Sequence, residues 1–172
     1  LRYQDQMADI EVEVEQLEST RLRDRLSIEQ ARIDVRLGQA DALWLRRMVG
    51  ALGLHDGLDR AYLTGPGPGV LASLSRVDLG RPVHQAVQGI NERPWMAPLF
   101  TQPLPSAIAV ERVVGQPLLT GLVPLLDGHR LGVLVDYSHA LALRRASVQN
   151  EVAREAVAAL LATGALALLL HL

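Results

Sequence analysis

The chain contains no cysteine, which excludes a disulfide scaffold and a cysteine-ligated zinc site and leaves both the cytosol and an oxidising compartment open. Aromatic residues are scarce, with three Tyr, two Trp and one Phe. Charge of neither sign dominates: 17 Lys and Arg stand against 19 Asp and Glu, for a net charge of −2. With no basic surplus and few rings to stack on bases, the sequence has no footprint for nucleic acid, and that class of partner is set aside. A Gly-x-Ser-x-Gly nucleophile elbow is also missing. The five histidines, His55, His84, His129, His139 and His171, show no i,i+4 pair and no carboxylate at ligand spacing. No metal, no cofactor and no catalytic activity is expected of this segment.

Gly65-Pro66-Gly67-Pro68-Gly69 has the glycine content of a phosphate loop but not its chemistry. Two of its five residues lack a backbone N–H, and the strand-like Val70-Leu71-Ala72-Ser73 follows where an anion-binding loop needs a helix N-terminus. It reads as a turn.

Proline is absent from Tyr3 to Leu52, where apolar residues recur at helical spacing: Met7, Ile10, Val14, Leu17, then Leu22, Leu26, Ile33, Leu37, Ala40, Trp44 and Met48. The pattern predicts one long helix, with Glu18–Arg21 and Glu29–Arg32 pairs on its wet face and stops at Gly50 and Gly53. Its stripe slips by one residue between Leu17 and Leu22, where a strict heptad would bury Arg21 and Asp24. A helix this long exceeds the needs of a small globule, so Met7–Leu37 is expected to dimerise with a second copy.

Short apolar runs punctuated by Gly and Pro follow, and five strands are expected: Asp59–Leu63, Val70–Ser75, Ala107–Val114, Leu118–Leu126 and Arg130–Tyr137. Asp127-Gly128 is a hairpin signal between the last two. The Arg76–Ser106 connection, with a helical stretch near Pro82–Ile90 and the Pro-rich Arg93–Pro105, is too long for a hairpin and should cover a sheet face. Ser138 is placed as N-cap of a final helix starting at His139. After Arg154 and Glu155 that helix carries no charge, and Ala156–Leu170 is apolar apart from Thr163 and Gly164. The run reads as the start of a transmembrane helix. A buried core helix is the other reading, because the run falls short of the roughly 20 residues a bilayer needs. The absence of an initiator Met and the apolar end read as a segment of a longer protein.

Taken in order, Val70-Leu71-Ala72-Ser73, Leu79-Gly80, Arg93-Pro94-Trp95-Met96, Leu119–Val123 and Leu131-Gly132-Val133-Leu134-Val135-Asp136-Tyr137 resemble the Cache superfamily of extracytoplasmic, PAS-like sensors over roughly Asp59–Leu143. The resemblance implies an α+β fold: a five-stranded antiparallel sheet between a long N-terminal helix and a C-terminal helix running into the membrane. It divides the chain into a dimerisation helix (1–53), a sensor core (54–138) and a helix continuing into a transmembrane segment (139–172). It also implies a receptor of the bacterial inner membrane with this domain in the periplasm. The output is a histidine kinase, a diguanylate cyclase or a chemoreceptor module.

In the family's amino-acid-binding members an Arg-x-Trp-Tyr segment holds the ligand carboxylate and a later strand Asp holds the ammonium group. Carried onto this chain, that implies Arg93, Trp95 and Asp136 as ligand-binding residues, with Tyr137 and Tyr62 beside them. The chemistry is coherent, since a guanidinium fork matches a carboxylate, an indole walls a pocket and an Asp supplies the opposite charge. Met96 departs from the pattern by removing an aromatic hydroxyl, which puts amino-acid specificity in question. Packing readings stand beside these: an Arg93–Asp136 salt bridge, core packing of Trp95, and sheet-face packing of Tyr62 and Tyr137. A ligandless dimerisation or docking module is the rival function.

Overall fold

The computed structural model describes residues 2–37, 42–54, 57–67, 69–86, 103 and 105–171. The expected α+β architecture is present, with one five-stranded antiparallel sheet, a long N-terminal helix and a C-terminal helix. The helices are α1 (Arg2–Leu37), α2 (Ala42–Leu52), α3 (Val83–Ala86) and α4 (Ser138–His171); the strands are β1 (Leu58–Thr64), β2 (Val70–Ser73), β3 (Ala109–Arg112), β4 (Leu118–Pro124) and β5 (Arg130–Asp136). The strands form one antiparallel sheet in the order β2-β1-β5-β4-β3. Both α1 and α2 fall within the helix expected over Tyr3–Leu52, and 38–41 between them lie outside the described residues.

The chain divides into two compact units, one made of Leu1–Val14 with His139–Leu172 and the other of Glu15–Ser138. In the first, Ile10, Val14 and Leu141 are buried, and exposed ion pairs join Glu13 to Arg144 at 3.2 Å and Glu11 to Arg145 at 3.5 Å. Beyond residue 150 the described side chains of α4 are exposed. Among the described residues no helix is long and apolar enough to cross a membrane.

In the second unit α1 lies along β4 on one face of the sheet. Glu15 pairs with Arg112 at 2.7 Å, Leu22 and Leu26 cover Gly121, Gln30 Nε2 donates to the Pro124 carbonyl at 2.7 Å, and the Leu126 amide donates to Asp34 Oδ1 at 2.9 Å. Leu22, Leu26 and Ile33 are thereby buried within the chain, as Ile10 and Val14 are in the first unit. Leu22, Leu26 and Ile33 of the expected stripe thus serve as a lid on this face of the sheet. Leu17 of the expected stripe is exposed, at 51%. Glu18–Arg21 and Glu29–Arg32 pair as expected, at 2.8 and 3.0 Å, although Glu29 is buried rather than wet.

The α2 helix packs on β1 and β2 through Leu45, Met48, Val49 and Leu52, a single face at i, i+3, i+4, i+7. Arg36 stacks over Trp44 at 5.4 Å. Gly53 follows the end of α2, whereas Gly50, the other expected stop, sits inside it.

The strands fall on the apolar runs where they were expected, β1 longer by one residue at each end and the others shorter by up to two residues at several ends. Asp127 and Gly128 both adopt left-handed φ, 55° and 76°, and the His129 amide closes the turn on the Leu126 carbonyl at 3.1 Å. Two successive left-handed residues give the twist a tight β4–β5 hairpin requires, which only glycine, Asn or Asp adopts at small cost. On β5 every residue from Leu131 to Val135 is buried, so both sheet faces are covered.

Candidate functional site on the second sheet face

Directly paired residues of antiparallel strands share a face, so the register assigns the side opposite α1. One row across the sheet reads Ser73, Tyr62, Gly132, Leu122, and the next reads Arg60, Leu134, Thr120, Glu111. Tyr62, Leu122 and Leu134 form one buried cluster with Val70, and Leu118, Val83 and Ala86 pack against it. Gly132, at the centre of the sheet, contributes no side chain between Tyr62 and Leu122.

The cover begins immediately after β2. A 3-10 turn at Arg76–Asp78 reverses the chain, and two backbone bonds of 2.9 Å return it to Val70, from Val70 N–H to the Arg81 carbonyl and from Gly80 N–H to the Val70 carbonyl. That return carries Val83 and Ala86 onto the cluster. It also buries Asp78, which is only 7% exposed. Ser73 Oγ donates to Asp78 Oδ2 at 3.2 Å and accepts the Ser75 amide at 3.1 Å.

Polar groups therefore concentrate on an otherwise apolar face. Tyr62 is 2% exposed and Thr120 is 6% exposed, the latter donating Oγ1 to the Glu111 carbonyl at 3.3 Å. Burial pushes the Tyr62 phenol above its ordinary value of 10.0, and the negative charge of Asp78 raises it further. The Arg60 guanidinium, which hydrogen-bonds the phenol, pulls the other way. Arg60 also lies 3.8 Å from Asp59. A neutral phenol, a buried carboxylate and apolar walls suit a small ligand whose polar ends need directed hydrogen bonds.

Of the residues expected from sequence, Tyr62 lies at the centre of this face. Arg93 and Trp95 lie outside the described residues, as does Met96. Asp136 is exposed at the end of β5, and its Oδ1 accepts the Ser138 amide at 2.8 Å. The α4 helix begins at Ser138 itself, so the capping acceptor is the Asp136 carboxylate rather than the Ser138 hydroxyl expected from sequence. Tyr137 is buried, with its amide on the Pro117 carbonyl at 2.9 Å. Tyr62 pairs with Gly132, so Asp136 stands four residues along β5, about 13 Å away at 3.3 Å per residue. The register does not bring Asp136 or Tyr137 to Tyr62. Sequence reasoning missed Arg60, Ser73, Asp78 and Thr120. Thr120 was open to detection as the one hydroxyl in the apolar run Leu118–Val123, whereas Asp78 sits in a turn whose burial no periodicity announces.

No protein-family model matches the chain, and no curated protein matches it. Among solved structures it is similar to the ligand binding domain of Mlp24 with asparagine, at 16% identity and a TM-score of 0.40. The alignment covers 60% of this chain and 38% of that chain. At that identity and TM-score, the likeness fixes neither a ligand nor a mechanism.

Proposed function

We propose that the chain is the extracytoplasmic ligand-sensing domain of a transmembrane signalling receptor and binds a small anionic or zwitterionic metabolite. The observation that carries this reading is the sheet face opposite α1, where Tyr62, Asp78 and Thr120 are buried among apolar side chains. Arg93 and Trp95 join the site in this reading, Arg93 as the fork for a ligand carboxylate. Asp136 and Tyr137 act at the exit of β5, where the strand passes directly into α4. The α4 helix continues into the bacterial inner membrane and leads to a histidine kinase, a diguanylate cyclase or a chemoreceptor output. A ligand signals only by binding two arrangements of α4 unequally, and the short path from Leu134 through Asp136 to Ser138 supplies the link.

A thermal-shift screen of amino acids and small carboxylates tests the reading. A specific ligand at 100 times its Kd stabilises the fold by about 2.7 kcal/mol, and Arg93→Ala is expected to abolish the shift. A folded chain that no such compound stabilises would favour a second reading, the ligandless dimerisation or docking module. That reading draws on Leu17, Ile28 and Val35, exposed apolar residues of α1 spaced 11 and 7 residues apart and so aligned along one outer side of the helix.

A further inference from the structure

We draw no further inference here: the strongest candidate, the exposed apolar line of Leu17, Ile28 and Val35 along the outer side of α1, carries nothing further because nothing in the structure shows what covers it.

Discussion

Gly121 lies so close to Leu26 that a β-carbon on the glycine would come within 2.7 Å of the leucine Cδ1, and equally close to Val133 Cγ2. This contact seats α1 on the middle of β4. Gly121→Ala forces both neighbours to move, and overpacking of this kind costs about 1–3 kcal/mol. Chemical denaturation should show a lower midpoint with an unchanged slope. A variant as stable as wild type would mean that α1 sits farther from β4 than described.

The junction of β5 and α4 depends on the Asp136 carboxylate. Asp136→Ala removes the acceptor of the Ser138 amide and should cost about 1 kcal/mol, the usual worth of a capping side chain, while Asp136→Asn keeps most of it. Amide exchange at Ser138 should accelerate in the alanine variant alone.

The ion pairs of the first unit are exposed at both partners, with side-chain exposures of 45% and 49% for Arg144 and Glu13. Such pairs contribute about 0–1 kcal/mol. Arg144→Ala should therefore leave the unfolding midpoint nearly unchanged, and a double-mutant cycle with Glu13→Ala should give a small coupling that shrinks further at high salt.

Tyr62 predicts a specific alkaline loss of stability. Its folded pKa lies above 10.0, so the native chain holds the phenolic proton more tightly than the unfolded chain does. The associated stability is fully present below the unfolded value and is lost as pH rises through the folded one. Between about pH 9 and pH 11, wild type should lose stability more steeply than Tyr62→Phe, which has no proton to release. Parallel curves would show that the phenol is not buried as described.

The strands and the hairpin were legible because their signals are local. Short apolar runs bounded by Gly, Pro and other turn residues mark the strands, and Asp127-Gly128 is one of few pairs that tolerate two left-handed residues. The slip in the α1 stripe also carried information. It falls close to the boundary at Val14 and Glu15 between the two units, with Leu17 turned to solvent and Leu22 and Leu26 on Gly121. That Leu22, Leu26 and Ile33 of the stripe are buried in the unit that holds the sheet is a tertiary fact that helical periodicity does not contain. Of the site, Tyr62 was read from sequence, whereas Asp78 becomes visible only when the turn after β2 folds back on Val70.

The most direct test of the account is a methyl NMR titration with an amino acid that stabilises the chain. If the face opposite α1 holds the ligand, the resonances of Val70, Leu122 and Leu134 shift and saturate together, while those of Leu26, Leu119 and Val133 on the α1 side move little. Saturable shifts confined to the α1 side, or to the exposed Leu17, Ile28 and Val35, would contradict it.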